Sequence, residues 1–143
     1  MKNVGELLTN KPGTVFSVSP DASILDALKL LAEHDVGALP VVENDRLCGI
    51  FSERDYARGV ILRGRSSRDT AVRELMTTNV VTIATDDSIV HCMETMTTKR
   101  IRHLPVVEGD RMTGIVTIGD IVKQIISDQT HTIEQLESYI QGH

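Results

Sequence analysis

Two short stretches of the chain place a hydroxyl and a carboxylate at the same spacing. Residues 49–55 (GIFSERD) and 114–120 (GIVTIGD) each have a Gly, a Ser or Thr three residues later, and an Asp three residues after that. Each stretch lies where an apolar run gives way to helical periodicity, which predicts the start of a helix. The side chains concerned are Ser52 and Asp55 in the first copy, and Thr117 and Asp120 in the second.

This arrangement allows two interpretations. The spacing fits a capping box, in which the hydroxyl and the carboxylate satisfy N–H groups of the first helical turn, a purely structural role. It also fits a nucleotide site. The partial positive charge of a helix start favours a phosphate, and a carboxylate one turn in can hold a ribose diol. The sequence leaves both roles open.

A second repeated stretch precedes an apolar strand in each copy. Residues 36–40 (VGALP) correspond to residues 101–105 (IRHLP), where Arg102 and His103 replace Gly and Ala. A cation at the mouth of a cleft could neutralise a phosphate. Alternatively, residues 99–102 (KRIR) are the exposed basic end of a helix, where the helix dipole favours positive charge.

Arginine is concentrated in one part of an acidic chain. Six Arg and three acidic residues between positions 54 and 74 give a local charge of +3, so a net charge of −5 leaves −8 for the remainder. The overall sign argues against a nucleic-acid surface, whereas a local basic island suits a nucleotide phosphate. Arg54, Arg63 and Arg65 are the candidates, and Gly64 gives the last two a flexible loop. The alternative is a solvated, salt-bridged helix face.

The motifs belong to a longer internal repeat. An offset of 65 residues aligns residues 15–62 with residues 80–127 without a gap, with 15 of 48 positions identical, ten of them within residues 39–55. Residues 4–8 (VGELL) match residues 72–76 (VRELM) as a shared leading segment. A unit of about 60 residues buries only a limited core, so we expect the two units to pack together.

Each unit is predicted as strand, helix, strand, strand, helix. Short strands are expected at residues 15–18 and 80–83, and helices are expected to begin at residues 19–21 and 85–87. Apolar strands flank polar turns at residues 44–45 and 109–110. The expected core face of the first helix has Ile24, Leu28 and Leu31, and that of its counterpart has Ile89, Met93 and Met96.

Closing helices are expected near Arg54 and Gly119, with an additional C-terminal helix at residues 132–140. The fold class is therefore mixed α/β (α+β), with two β-α-β-β-α units and a C-terminal helix. The predicted division is residues 1–62, a linker at 63–70, residues 71–128, and a tail at 129–143.

Signatures of catalysis do not stand out in the sequence. It has no phosphate-binding loop, HExxH motif or nucleophile elbow. Neither the histidines nor Cys48 and Cys92 show metal-ligand spacing, and the cysteines suit a reduced, cytoplasmic setting as core residues. Residues 1–9 do not resemble a signal peptide. We therefore expect a protein that is not an enzyme and has neither a metal nor a catalytic cofactor.

With both motifs in view, residues 4–127 resemble a tandem pair of cystathionine-β-synthase-type (CBS) domains, or Bateman module. The signature Leu-Pro-Val-Val, a turn, and Gly-Ile-x-[Ser/Thr]-x-x-Asp occurs twice. Residues 52–62, 64–67 and 99–106 look especially like the corresponding parts of stand-alone CBS-pair proteins of proteobacteria and plant mitochondria. The resemblance implies a pseudo-twofold pair, often dimerised into a disc, whose clefts bind AMP, ADP, ATP, S-adenosylmethionine or NAD.

The resemblance also implies roles for individual residues. The two motif aspartates would hold ribose hydroxyls, the motif Ser and Thr would contact ribose or phosphate, and the basic pair before the second Leu-Pro would contact phosphate. The first unit lacks that basic pair, although Arg54 partly compensates, so we expect the second cleft to be stronger. Adenine would be sandwiched by Val15, Val36 and Pro40, and by Val80, Ile101 and Pro105.

Three functions follow as hypotheses. The first is an adenine-nucleotide sensor, homodimeric, that regulates a partner protein in trans without contacting nucleic acid or membrane. The second is a redox-linked NAD(H) sensor, because the same contacts serve NAD. The third is a ligand-free oligomerisation module in which the motif is only structural.

Overall fold

The computed structural model describes residues 3–10 and 15–141, which form two compact units. Each unit is dominated by one repeat and also takes in a short segment from elsewhere in the chain. The first-repeat unit comprises residues 15–82 and 107–113, and the second-repeat unit comprises residues 3–10, 83–106 and 114–141. The domain boundaries predicted along the chain follow the sequence repeats, whereas these units group residues by contact, so the predicted boundaries stay a prediction.

The predicted mixed helical and antiparallel fold is confirmed. The described residues contain five α-helices and four strands. In chain order these are α1 (Val4–Asn10), α2 (Ile24–His34), β1 (Ala38–Glu43), β2 (Arg46–Ser52), α3 (Glu53–Tyr56), α4 (Ile89–Lys99), β3 (His103–Glu108), β4 (Arg111–Thr117) and α5 (Ile118–Ile140). A π-helical segment, Ala57–Ile61, continues α3, and Val72–Glu74 forms a 3-10 turn.

Helices α2 and α4 begin later than the sequence predicted. Ser23 is the N-cap of α2, where its Oγ accepts from the Asp26 N–H at 3.1 Å, and Ser88 caps α4 in the same way. The predicted starts at residues 19–21 and 85–87 are wrong, because these residues form turns that precede the caps. The predicted core faces are correct: Ile24 and Ile89, for example, are fully buried.

Both predicted hairpins are present, whereas the predicted leading strands are not. Strands β1 and β2 pair antiparallel with a bulge at residues 41–42. The turn residues adopt positive φ, 53° at Asn44 and 65° at Asp45, values that Asn and Asp tolerate better than most residues. Residues 15–18 and 80–83 each contribute one bridge, Val18 to Val41 and Ile83 to Val106.

The leading segments make equivalent bonds, each within the unit of the other repeat. In the first-repeat unit the Val72 N–H donates to the Ala22 carbonyl at 2.8 Å, and in the second-repeat unit the Val4 N–H donates to the Asp87 carbonyl at 2.9 Å. Because Ala22 and Asp87 are 65 residues apart, the two bonds are the same contact in both repeats. The predicted match between residues 4–8 and 72–76 therefore has a structural counterpart.

These segments explain the glycine of each motif. A Cβ built on Gly49 would lie 2.8 Å from the Met76 sulfur, and one built on Gly114 would lie 2.9 Å from Leu8 Cδ1. Such separations are shorter than van der Waals contact, so a larger residue would displace the leading segment.

The C-terminal helix differs from the prediction. The expected closing helix near Gly119 and the expected separate helix at residues 132–140 form one continuous helix, α5, because no helix-breaking residue lies between them. Ile121 is its one fully buried residue, and residues 129–141 are all exposed. None of the described helices combines the length and apolar character needed to cross a bilayer.

Candidate functional site

The two repeated hydroxyl–carboxylate motifs form capping boxes with matching geometry. The Thr117 N–H donates to Asp120 Oδ2 at 2.9 Å, and the Asp120 N–H donates to Thr117 Oγ1 at 3.2 Å. The Ser52 and Asp55 pair repeats both distances, and the Ser52 hydroxyl also donates to Asp55 Oδ2 at 3.0 Å. The structural interpretation of the motif is therefore confirmed in both repeats.

The capping boxes do not exhaust the hydrogen-bonding capacity of these side chains. A carboxylate offers about four lone-pair sites, and the backbone bond of the box uses one of them. Asp55 also accepts from the Ser52 hydroxyl, and Asp120 makes a further interaction with the protein. All four motif side chains are half-buried, so water and small ligands reach them. The second helical N–H, at Arg54 in α3 and at Gly119 in α5, has no partner among the described residues. Acceptors for a diol and a donor for an anion thus lie together.

A loop carbonyl brings the second repeated stretch to the same place in each unit. The Glu53 N–H donates to the Gly37 carbonyl at 3.1 Å, and the Ile118 N–H donates to the Arg102 carbonyl at 2.9 Å. The residues before Leu-Pro therefore adjoin the first turn of the helix in both repeats. No side-chain pattern predicts these carbonyl contacts, because they depend on backbone atoms.

The predicted adenine-contacting residues fall into two groups. Pro40 and Pro105 are buried, and their carbonyls accept at 3.1 Å from the N–H groups of Val18 and Ile83. The remaining four are half-buried and offer apolar surface. They are Val15, Val36, Ile101 and Val80, of which Val80 belongs to the first-repeat unit.

The basic residues before the second Leu-Pro differ in exposure. Arg102 is exposed and has no ion pair within the described residues, whereas His103 is half-buried and already interacts with the protein. Arg102 is thus the more accessible cation beside the start of α5. Its backbone is fixed there by the hydrogen bond to Ile118.

Part of the arginine island is salt-bridged, as the structural alternative proposed. Arg65 contacts Glu74 at 2.6 Å, and Arg73 contacts Asp21 at 2.7 Å and Glu43 at 3.5 Å. The pKa of Glu74 is lowered, mainly by the hydrogen bond from the Ala71 N–H and then by Arg65. The hydrogen bond to Asp21 raises the pKa of Arg73. The pairing of Arg65 with Glu74 was not predicted, because no local sequence pattern links residues that are nine positions apart across a turn.

The linker is held by backbone hydrogen bonds, in contrast to the flexible loop expected. The first N–H groups of α2, at Ile24 and Leu25, donate to the carbonyls of Thr70 and Ser67, both at 2.9 Å. Thr70 is buried, and the Arg65 N–H donates to the Val60 carbonyl at 3.0 Å. Arg54 and Arg63 remain exposed, without ion pairs in the described chain.

The cysteines have the environment of core residues. Burial raises the pKa of Cys92 to about 11, with a further contribution from Asp87, and burial also raises the pKa of Cys48. Both thiols stay protonated at neutral pH, so neither is an activated nucleophile. The described residues contain no cluster of metal ligands, and His143 lies outside them.

Comparison with known proteins identifies the repeated unit. The CBS-domain model matches residues 4–61 and again residues 72–127. The mitochondrial CBS domain-containing protein CBSX3 of Arabidopsis thaliana is 37% identical over 147 positions, which cover 99% of this chain and 70% of the plant protein.

Solved structures agree with this match. A protein of Burkholderia ambifaria with CBS domains, assigned to signal transduction, has a TM-score of 0.83 at 44% identity, covering 90% of this chain and 96% of that one. The CBS pair of protein MJ0100, solved with 5′-methylthioadenosine and S-adenosyl-L-methionine, has a TM-score of 0.73 at 29% identity, covering 89% and 98%. This chain therefore belongs to the CBS-domain family and carries the domain twice.

Proposed function

We propose that this protein is a non-enzymatic regulator that binds an adenine nucleotide, AMP, ADP or ATP, at its repeated motifs and controls a partner protein in trans. The observation that carries the proposal is the juxtaposition, in each repeat, of a helix start, a half-buried hydroxyl and carboxylate, and the loop before Leu-Pro. These groups match the ribose and phosphate of a nucleotide. The adenosine compounds bound by the CBS pair of MJ0100 support the same ligand class.

The second repeat is proposed as the stronger site. Thr117 and Asp120 are accompanied there by Arg102, whereas the first repeat has Gly37 at the equivalent position and relies on Arg54. A charge-assisted hydrogen bond contributes about 1.5–3 kcal/mol, which corresponds to roughly tenfold or more in affinity. His103 would give the phosphate a second hydrogen-bond donor if its side chain rotated away from its present interaction.

The decisive experiment identifies what the protein carries. Purified protein is denatured, and the released small molecules are analysed by mass spectrometry. We expect an adenine nucleotide. With no Trp and two Tyr in the chain, bound nucleotide would also dominate the absorbance at 260 nm. Release of NAD would favour the redox-sensor alternative.

A thermal-shift series then tests the site directly. On protein confirmed ligand-free, millimolar AMP, ADP, ATP and NAD are added separately, and a ligand selective for the folded state raises the melting temperature. A flat response to all four would refute nucleotide sensing and favour the ligand-free oligomerisation module, for which the capping boxes alone suffice.

The same proposal includes a homodimer and a cytoplasmic location. The dimer is motivated by the exposed apolar residues of α5, such as Leu136 and Ile140. Light scattering at micromolar concentration is expected to return about twice the 15.8 kDa of one chain. A mass of one chain would contradict the dimer and leave nucleotide binding intact.

A further inference from the structure

The linker carries an exposed serine among arginines. Residues 63–68 (RGRSSR) contain three Arg and no acidic residue, a local charge of +3. Ser66 is exposed, belongs to neither a helix nor a strand, and makes no hydrogen bond within the described residues. Neither a helix cap nor the proposed nucleotide site uses its hydroxyl, which is therefore open to modification.

The chain on either side of Ser66 is held by one short hydrogen bond. The Arg65 N–H donates to the Val60 carbonyl at 3.0 Å, and the Ser67 carbonyl accepts the Leu25 N–H at 2.9 Å. Ser67 itself is half-buried. Opening these two bonds would free the stretch around Ser66 while the core stays packed, a local opening of the kind that surface loops undergo readily.

The arginines determine which kind of enzyme could recognise this hydroxyl. Arg63 and Arg68 are exposed, and neither has an ion pair in the part of the chain that the structure describes. Arg65, in contrast, is held by Glu74 at 2.6 Å. Guanidinium groups three residues before and two residues after a serine fit a substrate groove lined by carboxylates. Protein kinases select their substrates by charge patterns of this type.

We infer that Ser66 is a phosphorylation site for an arginine-directed serine kinase. In the reaction, Ser66 Oγ attacks the γ-phosphorus of ATP held by the kinase, the bond from that phosphorus to the β,γ-bridging oxygen breaks, and ADP leaves. The hydroxyl proton passes to a carboxylate of the kinase. This inference goes beyond the proposed nucleotide site and does not depend on it.

A phosphate on Ser66 meets favourable charge in the linker. Phosphoserine carries a charge of about −1.5 to −2 at neutral pH and offers three strong acceptor oxygens. The Arg63 and Arg68 guanidinium groups are available to donate to it. The first turn of α2, whose Leu25 N–H is bonded to the neighbouring Ser67 carbonyl, also favours a nearby anion. Phosphorylation should therefore stabilise the first-repeat unit.

Phosphopeptide mapping tests the site. The full-length protein is incubated with Mg-ATP and the catalytic subunit of cyclic-AMP-dependent protein kinase, which reads arginine before the acceptor serine, and the phosphate is located by mass spectrometry. We expect it on Ser66, and Arg63→Gln should slow the reaction by about tenfold or more, because a charge-assisted contact is lost. Ser138, an exposed serine without nearby arginine, is the matched control. Phosphate on Ser138 in place of Ser66, an unmodified protein, or an unchanged rate for Arg63→Gln would overturn the inference.

The melting temperature of the phosphorylated protein, freed of nucleotide, tests the structural effect. New charge-assisted hydrogen bonds should raise it by about 2–8 °C at low ionic strength, and the gain should shrink in about 1 M NaCl. Ser66→Ala taken through the same treatment should show no rise. A phosphorylated protein that melts at or below the temperature of the untreated chain would overturn the pairing with the linker arginines. The response to added nucleotide is a separate measurement, so a failure of nucleotide binding leaves this result unaffected.

Discussion

Replacing Asp120 by Ala should reduce both stability and nucleotide binding, by amounts that can be separated. The carboxylate accepts the Thr117 N–H at 2.9 Å at the start of a 23-residue helix. Its loss leaves that N–H without its partner and removes a favourable charge from the helix start. Capping and dipole effects together correspond to about 1–2 kcal/mol of unfolding free energy. Urea unfolding of ligand-free protein measures this part.

The binding part is measured by calorimetric titration of AMP at a temperature where the variant is folded. One lost charge-assisted hydrogen bond to the ribose weakens binding by about 10- to 150-fold. Asp120→Asn keeps an oxygen acceptor for the cap and isolates the effect of the charge. Asp55→Ala is the matched change in the first repeat, and we expect it to spare the tightest site.

Two results would refute this reasoning. If Asp120→Ala loses stability as calculated and binds AMP as tightly as the natural chain, the motif is a helix cap and nothing more. If Asp55→Ala removes the tightest binding while Asp120→Ala keeps it, the proposed order of the two sites is wrong.

Three further predictions concern the linker, the packing and the alkaline limit of stability. Replacing Arg63 and Arg65 together by Ala should weaken ATP more than adenosine and reduce the salt dependence of binding; equal losses in titrations of both ligands would indicate a structural effect. Gly114→Ala should lower the unfolding free energy, measured in urea, by about 1–3 kcal/mol. Adding Leu8→Ala to this variant should recover part of the loss, because Leu8 Cδ1 is the atom that a Cβ at position 114 would meet at 2.9 Å. The pKa of Cys92 is about 11 in the folded chain, against 9.0 for a free thiol, so the thiol loses its proton first in the unfolded chain. The unfolding free energy should therefore fall by up to about 3 kcal/mol between pH 9 and 11. Cys92→Ala, which introduces the residue found at the equivalent position 27 of the first repeat, should remove that part of the pH dependence in urea titrations.

The features predictable from sequence are those set by neighbouring residues. The apolar face of α2, the hairpin turn at residues 44–45 and both capping boxes depend on side chains each within four positions of the next. Such short-range patterns carry their own physical reason, whether helical spacing, tolerance of positive φ or reciprocal hydrogen bonds. The internal repeat strengthened each of them, because every pattern had to hold twice.

The features missed depend on contacts that are distant in sequence. Ser19 and Ser23 are both acceptable N-caps, and the choice of Ser23 accompanies the bond from the Ile24 N–H to the Thr70 carbonyl, 46 residues away. The linker was expected to be flexible because its composition is typical of loops, yet its carbonyls cap α2. Arg65 was assigned to phosphate on charge alone, and only the fold reveals Glu74 as its present partner.

A dual use of the motif, as helix cap and as proposed ribose contact, would link the candidate site to the rest of α5. Asp120 caps α5, and in the proposed site it also holds the ribose, so a bound nucleotide would act directly on the first turn of that helix. The same helix runs about 33 Å from Ile118 to Ile140 and has exposed apolar residues near both ends. We therefore propose that a change at its N-terminus is felt at the exposed apolar residues farther along the helix. Helix α3 is only four residues long before its π-helical continuation, whereas α5 has 23 residues, and this difference supports the proposal that the second repeat holds the regulatory site.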